Sequence, residues 1–130
     1  MLVRKGKLTA DGEQGNRIVL TGHEHTKGYW NGVAFNRSNS TDNVVDYVTI
    51  EDGGGKQYSA GTLKDSEKAN LQLNGHGQDV DVRIKVTNST FRNSDGYGLS
   101  VYPNVTFDAC NNNEFENNRS GKSDEDSTCP

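Results

Sequence analysis

Apolar residues in this chain fall into short clusters separated by polar residues: Leu8, then Ile18 and Leu20, then Val33 and Phe35, then Val45, Val48 and Ile50. The second half continues with Leu71 and Leu73, then Ile84, Val86 and Phe91, then Leu99 and Val101, then Cys110 and Phe115. Within a cluster the spacing is mostly two, the period of a strand that buries one face. No useful window carries a 3.6-residue stripe, so the pattern predicts short strands and no substantial helix. Most clusters close on Gly, Asn or Asp, the residues that turn a chain sharply.

The clusters also repeat. Val45-Asp46-Tyr47-Val48-Thr49-Ile50 aligns with Val86-Thr87-Asn88-Ser89-Thr90-Phe91 and with Cys110-Asn111-Asn112-Asn113-Glu114-Phe115, with inward candidates at the first, fourth and sixth places. The last two copies are 24 residues apart (91 to 115) and the first two 41 apart (50 to 91). The polar, breaker-rich stretch 53–69 accounts for the excess as a loop inserted into the repeat. Leu8, Val33, Leu71 and Leu99 form a second series ahead of each copy, and Ile18 to Leu20 reads as a degenerate first copy. A period of about 25 residues over about four turns is that of a solenoid. Stacked rungs would place Val45, Val86 and Cys110 in one column and Ile50, Phe91 and Phe115 in another, because parallel strands lie about 4.8 Å apart.

The phrases Ile18-Val19-Leu20-Thr21-Gly22, Gly28-Tyr29-Trp30-Asn31-Gly32-Val33, Asn43 through Gly54, and Asn88 through Leu99 resemble right-handed parallel β-helix repeats of the pectate-lyase-like superfamily and of large bacterial surface proteins. The resemblance spans most of residues 6 to 120 and implies an all-β fold, a short right-handed parallel β-helix over 1–122 with the loop insertion 53–69, followed by an acidic tail, 123–130. It also implies an asparagine ladder at the bend within each rung, at the places of Asn88 and Asn112. The ends of so short a column are open strand edges that favour edge-to-edge self-association unless covered. Met1-Leu2-Val3 and the polar tail are the candidate covers, and a longer native polypeptide is the alternative.

Composition narrows the function. With 30% hydrophobic residues, mean hydropathy −0.89 and a net charge of −4, the chain can build only a thin core and is a poor partner for a nucleic acid, whose binding rests on Lys and Arg at phosphates. No apolar run approaches the roughly 20 residues of a membrane span. The first residues lack the apolar core of a secretory signal, so the chain either stays in the cell or is exported on a signal located elsewhere. The resemblance favours the second, an extracellular or cell-surface location.

Candidate chemistry is sparse. Asp46, Glu51 and Asp52, with Asp42 nearby, are candidate ligands for a hard cation such as calcium; acids on half-exposed strands equally serve solubility. No other cofactor is indicated. His23-Glu24-His25 is half of a transition-metal site if extended, with His76 the remaining histidine, or an ordinary exposed turn. The run Ser123-Asp124-Glu125-Asp126-Ser127 lacks the Gly and distal Glu of an EF-hand loop and reads as a solvated tail. Cys110 and Cys129 are the only cysteines. Their disulfide would tie the tail to the last rung; otherwise Cys110 is a small core residue and Cys129 a terminal thiol.

Tyr58, Tyr97 and Tyr102 are candidate carbohydrate contacts, since a tyrosine ring on a rigid scaffold can stack on a sugar. Trp30 reads instead as a plug beneath a corner loop. Asn-x-Ser/Thr triplets at Asn36, Asn39, Asn88, Asn104 and Asn118 fit glycan acceptors but also arise by chance in so Asn-rich a chain. Lyases of the resembled fold combine calcium-binding acids with a basic residue that removes a proton, and Arg83, Lys85 and Arg92 are the basic side chains at the level of Asp46 and Glu51. No family catalytic motif is matched, so no catalytic residue is carried over. The resemblance thus implies a non-catalytic structural, adhesive or carbohydrate-binding module of a larger exported bacterial protein, its partner a polysaccharide or cell-surface glycan. The alternative is a lyase or glycoside hydrolase fragment acting on acidic polysaccharide.

Overall fold

The computed structural model describes residues 1–58, 67–75, 82–102, 104–124 and 129. Its strands are β1 (Leu2–Arg4), β2 (Thr9–Asp11), β3 (Ile18–Leu20), β4 (Val33–Asn36), β5 (Val44–Asp46), β6 (Val48–Glu51), β7 (Ala69–Asn74), β8 (Val82–Thr87), β9 (Thr90–Arg92), β10 (Tyr97–Tyr102), β11 (Val105–Asn111), β12 (Glu114–Glu116) and β13 (Gly121–Ser123). Every third strand joins the same sheet. The first sheet runs β1-β4-β7-β10-β13, the second β11-β8-β5-β2 and the third β12-β9-β6-β3, and all strand pairs in them are parallel. This is a short parallel β-helix of four three-strand rungs, with β13 beginning a fifth.

The columns follow the sequence repeat. Ala10, Val45, Val86 and Cys110 are successive register partners, as are Leu20, Ile50, Phe91 and Phe115. A third column, Val3, Phe35, Leu73 and Val101, comes from the first sheet. These side chains converge on one thin core, in which Phe35, Ile50, Leu71, Leu73, Ile84, Phe91 and Leu99 are fully buried. The Phe91 and Phe115 rings stack with centroids 5.4 Å apart, a contact that adds to their burial.

The abundance of Asn has a local cause. Tyr47, Asn88 and Asn112, between the second and third sheets, have φ from 51° to 55°, and Asp52, Asn93 and Asn117, after the third, have φ from 53° to 64°. Asn and Asp enter this left-handed region at less cost than other side chains, because their short polar groups bond locally. These corners of the second, third and fourth rungs then need no Gly at the left-handed position.

Three expectations need correction. Leu8 does not belong to the Val33, Leu71 and Leu99 series; it precedes β2, and its amide is bound by Asn43 Oδ1 at 3.0 Å. A constant period misplaced it because rung lengths differ, register partners being 24 residues apart at one level and 41 at another. Met1-Leu2-Val3 is not a lid, since β1 is the outermost strand of the first sheet. The asparagine ladder runs at the other corner: Asn93 Nδ2 donates to Asp52 Oδ1 at 2.6 Å and Asn117 Nδ2 to Asn93 Oδ1 at 3.3 Å, whereas Asn88 donates to Asp46. Asn113 and Asn118, each one residue beyond a left-handed position, bond backbone of the rung beside them.

Of the stretch 53–69, residues 59–66 lie outside the described ones, as do His76 and residues 125–128. The described part lies across the outer face of the first sheet, and Ala69 already opens β7. Gly53 N donates to Asn70 Oδ1 at 2.8 Å, Tyr58 N to Gln72 Oε1 at 2.8 Å and Glu67 N to Ser100 Oγ at 2.8 Å. The outward Asn70, Gln72, Asn74 and Ser100 of the inner strands β7 and β10 are therefore buried although polar. Ser123, assigned by sequence to the tail, ends β13, and Asp124 accepts from Val101 N at 3.2 Å.

Candidate functional site

Two places gather side chains with chemistry. The first is a cleft of about 320 Å³ on the outer face of the first sheet. Ala34 and Gln72, register partners on β4 and β7, lie against it, with Asn31, Lys56, Gln57 and Tyr58 around them. Gln72 builds it: besides accepting from Tyr58 N, its Nε2 donates to Lys56 O at 3.0 Å and Asn31 O at 3.3 Å. Tyr58 Oη accepts from Asn36 Nδ2 at 3.1 Å, which fixes the ring. Side-chain amides, a tyrosine and an ammonium on a rigid sheet form the polar and apolar mixture that binds small polar ligands.

The three tyrosines do not form one platform. Tyr97 and Tyr102 lie at opposite ends of β10, an odd number of residues apart, so they project to opposite faces. Tyr102 shares its register with Asn36 and Asn74, which puts it on the same face as Tyr58, two strands from Asn36.

The second place is the corner after β6. Glu51 is 6% exposed and Asp52 1%. The segment between β3 and β4 folds over them: Gly28 N donates to Gly53 O at 3.1 Å, and Trp30 Nε1 donates to Glu51 O at 2.7 Å while its ring packs on the core. Gly32 ends this segment at φ 84°, where a Cβ would come within 2.5 Å of Asn70 O, so only glycine fits. The segment delivers His25, whose Nδ1 is 3.0 Å from Asp52 Oδ2 and 3.9 Å from Glu51 Oε1. Arg92 Nε donates to Glu51 Oε2 from the next rung. Asp52 also accepts from Asn93 and, at 2.8 Å, from Thr21 Oγ1. Burial pushes the Asp52 carboxyl upward, but the bonds from Asn93, Thr21 and His25 outweigh it and hold the group below its ordinary value.

Asp46 is apart from this corner. It ends β5 in the second sheet, accepts from Thr87 Oγ1 at 2.7 Å and Asn88 Nδ2 at 2.9 Å, and has Lys85 Nζ at 3.9 Å. Burial there also works upward, and the Thr87, Asn88 and Lys85 contacts bring its carboxyl below the usual value. The structure thus unites Glu51 and Asp52 but replaces Asp46 with His25. Asp42 is exposed and paired with Lys7.

The basic side chains are likewise split between sheets. Arg83 and Lys85 lie in the second sheet, with Arg83 Nε 2.7 Å from Asp108 Oδ1, whereas Arg92 lies in the third, on Glu51. Asp108 sits at an irregularity in the register of β11 against β8. Cys110 and Cys129 are joined in a disulfide, Cα atoms 5.4 Å apart, and Cys129 is buried in the core. Among the described residues, no helix is long and apolar enough to cross a membrane.

His25 was legible only as part of His23-Glu24-His25. The two glycines around Tyr29-Trp30 were the signal that the segment doubles back, but no local pattern says onto which rung. No protein-family model, curated protein or solved structure matches this chain.

Proposed function

We propose that the chain is a non-catalytic β-helix module that binds carbohydrate in the cleft beside Tyr58, within a larger exported protein of the bacterial surface type its repeats resemble. One observation carries this reading: Tyr58, held by Asn36, stands with Asn31, Gln57 and Gln72 around a cleft fixed to a five-stranded sheet. Gln72 is spent on holding the cleft wall, while the Asn31 and Gln57 side-chain amides match the paired donors and acceptors of sugar hydroxyls and the ring offers the apolar face that a pyranose stacks on. The buried disulfide supports export, since such bonds persist in oxidising compartments. Pairing of Arg83 with Asp108 and Arg92 with Glu51, in different sheets, favours binding over the lyase alternative, which needs a base and a cation site converging on one groove.

The test is a glycan array followed by calorimetry on the full chain and its Tyr58→Ala and Tyr97→Ala variants. Binding weakened at least ten-fold by Tyr58→Ala and unchanged by Tyr97→Ala is expected. Equal loss in both, or no glycan bound, overturns the cleft assignment. Calcium-dependent formation of unsaturated product from pectate or alginate would promote the lyase alternative.

A further inference from the structure

The geometry points to a binding site for one divalent transition ion of the zinc class at His25, Glu51 and Asp52. The donor atoms all lie within 4.8 Å of one another. The two separations from His25 Nδ1, 3.0 and 3.9 Å, bracket the about 3.4 Å expected between ligands of a tetrahedral ion with bonds of about 2.1 Å.

The surrounding bonds orient the carboxylates as ligands. Asp52 Oδ1 is taken by Asn93 and Glu51 Oε2 by Arg92, so each acid has one oxygen anchored and turns the other, Oδ2 or Oε1, toward His25. Outer partners of this kind fix ligand orientation in metal centres. Thr21, on Asp52 Oδ2, adds another. Both carboxylates are more than nine-tenths buried, while the His25 side chain is 73% exposed and can adjust to the ion. The two buried carboxylates face one guanidinium, Arg92, which Glu116 also flanks, so the corner is net negative and attracts a dication.

The donor set decides the kind of metal. Calcium takes six to eight oxygens, by the usual range of about that number, and two monodentate carboxylates fall far short. One imidazole with two carboxylate oxygens suits zinc and its neighbours, with water completing the coordination. On binding, His25 Nδ1 gives up its contact with Asp52 Oδ2, and both atoms turn to the ion.

Calorimetry and thermal melting of the full chain, stripped with EDTA and desalted, would test this with ZnCl₂ and CaCl₂ as probes. One equivalent of zinc should bind and raise the melting midpoint, because a ligand selective for the folded state stabilises it. Affinity should fall at least ten-fold in His25→Ala and Asp52→Asn and stay unchanged in His23→Ala. His25 is exposed and Asn occupies the equivalent corner positions 93 and 117, so both informative variants should fold. No binding at one equivalent, binding indifferent to His25→Ala, or calcium binding as tightly as zinc would each overturn the assignment.

Discussion

Strand β7 and the first half of β11, Val105 to Asp108, carry the same alternation of apolar and polar residues but have opposite fates. Every residue of β7 is buried, including Asn70, Gln72 and Asn74 on its outer face. No residue of β11 is fully buried, and Thr106 and Asp108 are exposed. β7 sits mid-sheet beneath the segment after Gly53, while β11 is the edge of its sheet. Alternation therefore chooses which side chain faces inward, and neighbours and cover choose how far either face is removed from water. On the outer face of β7, the amides of Asn70 and Gln72 bond the covering backbone, and hydrocarbon there would leave those backbone groups unpaired. At β11 the disulfide supplies by a covalent bond the closure that a further rung would give by packing.

The comparison can be broken most forcefully in the core. Phe91 has a rung on either side and is fully buried, so Phe91→Ala should cost about 3 to 5 kcal/mol, and Phe107→Ala, at the edge, less than half of that. Equal losses in urea unfolding would show that the last rung is as well packed as the middle. Next, Cys129→Ser opens a loop of 19 residues, and the chain-entropy model assigns about 3 kcal/mol to such a closure. An unchanged denaturation midpoint would mean that β11 holds without its covalent tie.

Gln72→Ala removes one side chain that satisfies three backbone groups, and a loss of about 1 to 3 kcal/mol is expected from the donors and acceptors left behind. Little change would show that water replaces those bonds and that the cover is loose. A smaller effect concerns acid. The Asp52 carboxyl is depressed in the fold, so its contribution is present above the ordinary aspartate value of about 4 and is lost as pH falls through the folded value. Asp52→Asn should therefore flatten the decline of stability below about pH 4 by no more than about 1 kcal/mol, measured by melting across pH. A wild-type slope in the variant would assign the acid response to Asp46 and Asp95, both also depressed. Last, Thr106→Ala on the open face of β11 should stay within about 0.5 kcal/mol of the parent.

The strands, their parallel stacking and the two columns through Phe91 and Val86 were legible because a solenoid writes its tertiary contacts as a sequence period. So was the packing of Trp30 beneath its loop, read from its place just ahead of the inward Val33. The candidate site was half legible. Glu51 and Asp52 are chain neighbours at the end of the strand the repeat defines, but Asp46 lies beyond the Tyr47 corner, and that turn sends it to another sheet.

What the sequence determined by itself is therefore local: inward and outward side chains, and corners where Asn or Asp enters the left-handed region. What only the tertiary structure decided is which segments between rungs fold back, and where. The segment carrying His25 docks on the corner of the next rung through Gly28 and Trp30, and the segment carrying Tyr58 docks on the first sheet through Gln72. Those docking contacts join residues 14 to 25 positions apart by hydrogen bonds in which at least one partner is backbone. Backbone groups are the same at every residue, so nothing in the identity of the residue that supplies one marks it as the partner in advance; only the assembled stack brings one into reach.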